Sequence, residues 1–339
     1  MLKDEPEEQP SAPKEVTAIN PVIIGPFRFI KPYKFTFRCI AKGRWEGRLL
    51  VDVFTQEFKH WQREQILKRI HDSDIVVNGK SIGVDYKIKE HDVIEHTITR
   101  IETPIYNLPI TKIGENDNFI AFLKPSSIPV HATGGYFYNS MVKLIDKRYY
   151  PIHRLDKVTS GIIVMAKSNE DAKMFTKMLQ DKTVKKAYLA RVLGEFPEGV
   201  IKVNQPIKEA KRDRALRECG EGGKESLTVF KRLVTNGKES IVKCKPITGR
   251  THQIRVHLSY LGYPISNDFY YGGNKPKLTK EEEDALKEAE KMGLWPSNTL
   301  LENDDPALLF KIYLHSFHYK SDIFDFRAPN PDWYDLDKI

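Results

Sequence analysis

The stretch Pro151-Ile152-His153-Arg154-Leu155-Asp156-Lys157-Val158-Thr159-Ser160-Gly161 runs directly into Ile162-Ile163-Val164-Met165-Ala166. The second part reads as a buried strand: a short unbroken apolar run, rich in β-branched residues, with a turn signal at its start. The first part is then a loop at the mouth of that strand. It sets two potential cations, His153 and Arg154, beside one carboxylate, Asp156. A positive neighbour keeps an aspartate ionised, which suits a nucleophile. Thr159-Ser160-Gly161 supplies hydroxyls and a tight turn that would hold the loop rigid.

Strands and helices alternate outward from this loop. Phe119 to Leu123 reads as a buried strand ending at Lys124-Pro125, and Asn169 to Gln180 as an amphipathic helix with Ala172, Phe175 and Leu179 on one side. Lys185-Lys186-Ala187-Tyr188-Leu189-Ala190-Arg191 alternates basic, apolar and aromatic residues, as a strand would whose Tyr188 can stack on a base and whose lysines, Lys186 among them, can meet phosphates. Thr248-Gly249-Arg250-Thr251-His252-Gln253-Ile254-Arg255-Val256-His257-Leu258 is polar and basic, enters a helix, and offers Arg255 as a partner for Asp156.

The N-terminal third differs. Residues 1–26 read as a disordered acidic tail; the first 20 hold five acids and two lysines. Residues 27–38 alternate large apolar with basic residues, as a strand or two short strands would. Leu49, Leu50, Val53 and Phe54 fit one helix face, and Ile66, Leu67 and Ile70 a second. Ile75-Val76-Val77 then runs into an Asn78-Gly79 hairpin turn. Pro104 to Pro109 reads as a linker, and Lys275 to Met292, dense in Glu and Lys, as a solvent-facing helical insertion without a function of its own. The tryptophans Trp45, Trp61 and Trp333 read as packing residues.

The 339 residues are 40% hydrophobic and 29% charged, an ordinary globular balance. The net charge of +8 becomes +11 once residues 1–20 are set aside, which predicts attraction to polyanions without choosing among RNA, DNA and membrane. Cys39, Cys219 and Cys244 are odd in number and lie in no metal-type spacing, which argues for a reducing compartment and against a zinc site. No apolar run is long enough to cross a bilayer. Cytoplasm or nucleus is the expected compartment, with the mitochondrion left open.

The motifs resemble those of the RluA family of RNA pseudouridine synthases. That family has a catalytic loop of the form HRLD followed by TSG, as at His153–Asp156 and Thr159–Gly161. TGRTHQIRVH (248–257) matches its third motif and KAYLA (186–190) its tyrosine motif. Lys124-Pro125-Ser126-Ser127-Ile128-Pro129-Val130-His131 is similar to its first, with serine where the family usually has glycine at 127. Leu314-His315 and Pro331-Asp332-Trp333 fit its tail. The resemblance covers residues 104–339, apart from the insertion at 275–305. Residues 28–58 are similar to a eukaryotic branch that includes tRNA synthases acting on the anticodon loop.

The resemblance implies an α+β fold: a catalytic domain with a large mixed β-sheet (104–339), preceded by a small S4-like RNA-binding module (27–103). Where S4 modules usually carry a glycine, this chain has Asp72-Ser73-Asp74. The implied reaction isomerises uridine to pseudouridine, with tRNA position 32 the favoured target and messenger or ribosomal RNA the alternative. Asp156 would attack C6 of the base or C1′ of the ribose, or promote loss of the base. Arg255 would pair with Asp156, and Tyr188 would stack on the target. Arg154 would fill the gap left by the flipped base or contact the backbone. His153, Lys186, Arg250 and His252 would contact RNA, and Ile254 or Leu258 would form the apolar wall. No cofactor or metal is implied, RNA is the expected partner, and a monomer is the expected state. Truncation before about Ile101 should weaken RNA binding more than it harms the catalytic fold.

Two rival readings use the same residues. A catalytically silent RNA-binding protein would not need Asp156, Tyr188 and Arg255 together. An aspartate-dependent nuclease or glycosidase would need further carboxylates around a metal or a second acid, and the motif segments supply one acid among cations.

Overall fold

Ile162 to Ala166 is apolar throughout because both faces of its strand are covered. In the computed structural model, which describes residues 20–58, 61–145, 148–211, 213, 215–296 and 310–336, the strand spans Ser160–Ala166. Ile163 and Met165 enter one core cluster, and Ile162, Val164 and Ala166 enter another on the opposite face. Its antiparallel neighbour Phe119–Lys124 alternates in the same way, with Ile120 and Phe122 on one side and Phe119 and Ala121 on the other. Helix Asn169–Gln180 covers the second face through Phe175, as its spacing predicts.

Among the described residues, these strands belong to one ten-stranded sheet. Its main path runs Val200–Asn204, Leu227–Thr235, Glu239–Pro246, Lys185–Leu193, Leu314–Lys320, Ser160–Ala166, Phe119–Lys124, Thr111–Glu115. Ser160–Ala166 and Leu314–Lys320 pair in parallel, and the other neighbours are antiparallel, so the sheet is mixed, as expected. Gly161 is required where the parallel pair meets. Its φ is +112°, and an added Cβ would lie 2.3 Å from the Ser316 carbonyl oxygen. The glycine of the Thr-Ser-Gly turn is therefore there to let a later strand come close.

The chain divides into two compact units, and the division differs from the expected one. Residues 31–101 form one unit; residues 21–30 join 102–339 in the other. The first 19 residues of the expected 1–26 tail lie outside the described residues, but Val22–Ile24 is a strand. It pairs with Phe27–Phe29, which pairs in turn with Ile105–Tyr106. The expected linker at 104–109 is thus built into the larger unit. Beside it, Glu102 is fully buried and accepts the backbone N–H groups of Phe137, Tyr138 and Asn139 at 2.9–3.0 Å.

The partner of this hairpin is the segment read as a solvated insertion. Helix Lys280–Lys291, capped by a reciprocal Thr279/Glu282 box, buries Ala285, Leu286 and Ala289 against Phe27, Phe29 and Tyr106. Tyr106 donates its hydroxyl to Glu282 at 2.7 Å and stacks on Phe27 at 5.3 Å. Phe27 and Phe29 are 0% exposed, each contributing about 1.5–3 kcal/mol. The helix therefore has a narrow apolar stripe of small residues that its charge density conceals. The end of the expected 275–305 insertion lies outside the described residues.

The smaller unit follows the predicted order: helices Leu50–Glu57 and Arg63–His71, then the hairpin Ile75–Val77 and Lys80–Ser81. Asn78 (φ 52°) and Gly79 (φ 72°) make the left-handed turn that an Asn-Gly pair favours. Strands Tyr33–Ile40 and Val93–Arg100 complete a four-stranded sheet. Two serines stand in left-handed backbone where glycine is easier, and each is hydrogen-bonded. Ser73 (φ 58°) has its hydroxyl 2.8 Å from that of Ser81, and Ser127 (φ 72°) in the larger unit accepts the Tyr106 N–H at 2.9 Å. These bonds offset a conformational cost of about 1–2 kcal/mol. Trp45 and Trp333 are buried, as a packing role requires, and Trp61 is partly buried under Arg69.

Candidate active site

Eight of the nine expected site residues line one cavity of about 400 Å³ in the larger unit. The loop before Ser160–Ala166 supplies His153, Arg154 and Asp156. Strand Lys185–Leu193 supplies Lys186 and Tyr188, and the turn into helix Gln253–Tyr260 supplies Arg250, His252 and Arg255. Leu258 does not reach the cavity; it is 0% exposed in the core, and Ile254, one turn earlier, lines the wall instead.

Asp156 sits in a turn closed by its own carbonyl, which accepts the Thr159 N–H at 3.1 Å. Its Oδ2 accepts from Arg255 Nη1 at 3.3 Å. Burial opposes the charge, but the facing His252, Arg255 and Arg154 outweigh it, and the carboxyl is held below the ordinary aspartate range. Arg255 is itself clamped: the fully buried Asp268 accepts from Nε at 2.6 Å and from Nη2 at 2.9 Å, and the Tyr271 ring lies 4.7 Å from the guanidinium. This bidentate clamp leaves Nη1 for Asp156. Among the described residues, Oδ1 of Asp156 makes no hydrogen bond or ion pair.

His252 occupies left-handed backbone (φ 56°) at the start of the helix, a strained position of the kind that collects at functional sites. Its tautomer follows from its neighbours. Nε2 faces the acceptor-only Asp156 carboxylate, which favours the ring proton there and leaves Nδ1 to accept the Tyr271 hydrogen at 2.7 Å, while the Tyr271 oxygen accepts the Arg217 N–H at 3.0 Å. A neutral ring accepting at Nδ1 carries its proton on Nε2, which faces Asp156 Oδ2 at 3.7 Å. Burial pushes His252 down to about 4 despite the pull of Asp156. At neutral pH this contact is therefore polar, and Arg255 is the cation touching the carboxylate.

His153 is engaged inward. Nε2 accepts the Val164 N–H at 2.9 Å, and Nδ1 lies 3.3 Å from the Tyr319 hydroxyl. Burial, with Lys186 adding to it, takes its pKa down to about 3. Both ring nitrogens are occupied within the protein, which leaves no polar edge of the ring for the expected RNA contact. Lys186 is half-buried, and burial lowers its pKa. Arg154 and Arg250 are exposed at the rim.

Four residues of this architecture escaped the sequence reading. Asp268 and Tyr271 follow the third motif in a segment with no chemical pattern of its own. Tyr319 follows Leu314-His315 in the tail. Lys124 lies in the first motif, where it read as the end of a strand. Although fully buried, its ammonium donates to the carbonyls of Pro125 (2.8 Å), Ile128 (2.8 Å) and Lys157 (3.2 Å), tying the first motif to the residue after Asp156. A buried lysine in a motif otherwise made of turn residues was the available signal.

The comparisons with known proteins agree with this geometry. Residues 118–260 match the family model described as RNA pseudouridylate synthase. The chain is 42% identical over 262 residues to the "tRNA pseudouridine(32) synthase, mitochondrial" of Saccharomyces cerevisiae, covering 75% of this chain and 57% of that one. It is 31% identical to "RNA pseudouridine synthase 7" of Arabidopsis thaliana, covering 91% and 87%, and 31% identical to the "tRNA pseudouridine(31) synthase" of Saccharomyces cerevisiae, covering 85% and 81%. The chain spans about half to two thirds of the length of several of its relatives. With its motifs gathered at one cavity and relatives matched over most of their length, the chain belongs to the RNA pseudouridylate synthase family, in its RluA-type branch.

Proposed function

We propose that this protein isomerises uridine to pseudouridine in RNA, with Asp156 as the catalytic residue. The observation that carries the proposal is the part-buried carboxylate of Asp156, kept ionised by a clamped Arg255 in a cavity that Tyr188 also lines. A uridine would reach it by leaving its stack. Arg154, Lys186 and Arg250 would meet phosphates or fill the vacated position. With Oδ2 held by Arg255, Oδ1 is the oxygen left to act, at C6 of the base or C1′ of the ribose, or in promoting loss of the base. The N1–C1′ bond breaks, the base turns over and rejoins the ribose through C5, and the proton that C5 gives up is balanced by one taken up at N1. Substrate and product have the same atoms and oxidation state, so the reaction draws on no cofactor.

The preferred substrate is tRNA at anticodon-loop position 32, a reading supported by the name of the 42%-identical yeast relative. Residues 31–101 would act as an S4-like module gripping structured RNA through shape and phosphates, and the protein would work as a monomer. Because residues 21–30 belong to the larger unit, this role is tested by replacing 31–101 with a short linker rather than by cutting before Ile101. Weaker RNA binding with an intact catalytic fold is the expected result. Cytoplasm or nucleus remains the proposed location. The same yeast relative is named mitochondrial, and fractionation with a compartment marker separates the alternatives.

The reaction is tested by carbodiimide mapping of unmodified tRNA after incubation with wild-type protein and with Asp156→Ala. A new stop at position 32 with wild type alone, and similar tRNA affinity for both proteins, is expected. Turnover by the variant refutes the role of Asp156. A signal only at position 31, or only in messenger or ribosomal RNA, keeps the chemistry and replaces the substrate.

A further inference from the structure

The sheet brings two buried tyrosine hydroxyls together at the cavity. Tyr188 and Tyr319 both line it, and their oxygens are 3.1 Å apart. An irregularity in strand pairing places them there. Lys186 faces Tyr319 and Ala187 faces His318, but Tyr188 then faces Ser316, so the register skips Phe317. Gly161 admits the Ser316 backbone at this same point.

The direction of the hydrogen bonds follows from the far end of the chain. Val164 N–H is a donor and cannot be otherwise, so His153 Nε2 accepts. A neutral imidazole that accepts at Nε2 carries its proton on Nδ1, and that nitrogen faces the Tyr319 oxygen at 3.3 Å, with the two rings stacked 4.8 Å apart. Tyr319 thus accepts from His153 and has its own hydrogen for Tyr188. Tyr188 accepts that hydrogen. The Ser316 hydroxyl, buried at the irregularity, lies beside both phenol oxygens as a donor that favours their charged forms, so the Tyr188 hydrogen is left for the cavity.

We infer that Tyr319, set by His153 and the Val164 amide, is a positioning residue that turns the Tyr188 hydroxyl hydrogen toward the bound base and stabilises negative charge on the Tyr188 oxygen. Burial around Tyr188 and Tyr319 raises the cost of a bare phenolate at either ring, so a donor built beside Tyr188 matters more there than it would in water. His153, held neutral, cannot receive a second proton cheaply. The chain therefore orients hydrogen and does not conduct it. This inference rests on the proposed role of the cavity in uridine isomerisation.

The test is a double-mutant cycle in single-turnover rate with tRNA as substrate, using Tyr319→Phe, Tyr188→Phe and the double variant, with Asp156→Ala as reference. Tyr319→Phe should lower the rate about 5- to 10-fold, the worth of one buried hydrogen bond, with tRNA affinity unchanged. In the Tyr188→Phe background the same change should have no further effect. A full additional loss in that background, or a wild-type rate for Tyr319→Phe, overturns the inference, while an active Asp156→Ala overturns the reading of the site instead. If Tyr319→Phe folds poorly, 3-fluorotyrosine at position 319 keeps both shape and hydroxyl. Its stronger donor should shift the pH–rate profile to lower pH, and an unshifted profile overturns the inference.

Discussion

Asp268→Asn is the most informative single change at this site, because it removes a charge without removing a side chain. Asp268 is fully buried and takes two of the Arg255 donors at 2.6 and 2.9 Å, while Asp156 takes a third at 3.3 Å. Opposite charges about 4 Å apart attract by about 4 kcal/mol at an effective dielectric near 20. An asparagine would lose that attraction and turn an N–H group toward a guanidinium that has only donors. Breaking a buried pair from one side costs about 3–5 kcal/mol. Part of this loss appears as instability, and part as an Arg255 that no longer presents Nη1 to Asp156. With about 2.7 kcal/mol of it expressed at the site, the rate falls about 100-fold. Affinity for tRNA should change less than about 2-fold, because phosphate contacts carry it. Release of tritium from tRNA labelled at uridine C5 measures the rate, and filter binding the affinity. A folded Asp268→Asn variant with wild-type turnover would refute the view that the clamp orients the carboxylate.

Lys124→Met should lower the stability of the larger unit by about 3 kcal/mol or more, since three buried carbonyls lose their donor; urea unfolding reads this, and an unchanged midpoint contradicts the tie. Gly161→Ala should prevent correct pairing of strand Leu314–Lys320, because the new Cβ would lie 2.3 Å from the Ser316 carbonyl; soluble protein with full activity would show that the strand can move aside. Acid should destabilise the fold through buried histidines. His153 is lowered to about 3, and His252 and His315 to about 4, against about 6.5 when unfolded. Stability from these groups is complete above pH 6.5 and is lost as pH falls toward 4, at about 1.4 kcal/mol per unit for each histidine. A melting temperature that stays flat from pH 7 to 4.5 would contradict their burial as neutral rings.

Local pattern and local chemistry made much of this protein legible. The unbroken apolar runs at 119–123 and 162–166 are strands covered on both faces, the Asn78-Gly79 pair turns as its left-handed preference requires, and helix 169–180 buries the side its spacing marks. The HRLD loop, the strand at 185–191 and the segment 248–258 named the residues at the cavity, with Leu258 the exception, because loop, strand and helix start each present nearby residues to one place. The sequence was also sufficient to foresee Arg255 beside Asp156.

Contacts between distant segments were decided only by the tertiary structure. Residues 22–26 look like the end of a tail, 27–29 like the start of a strand and 280–291 like a solvated helix, because each apolar stripe is too narrow to announce a partner more than 250 residues away. Together they bury Phe27 and Phe29, and that exchange moves the boundary between the two units. Asp268 and Tyr319 carry no local mark for a similar reason. Their roles arise from which donors they face across the sheet and helix, and a slip at Ser316–Phe317 sets one of those facings. Alternation and propensity depend on neighbours a few residues apart, whereas burial of a charge and the direction of a hydrogen bond depend on whatever the folded chain brings within about 3 Å.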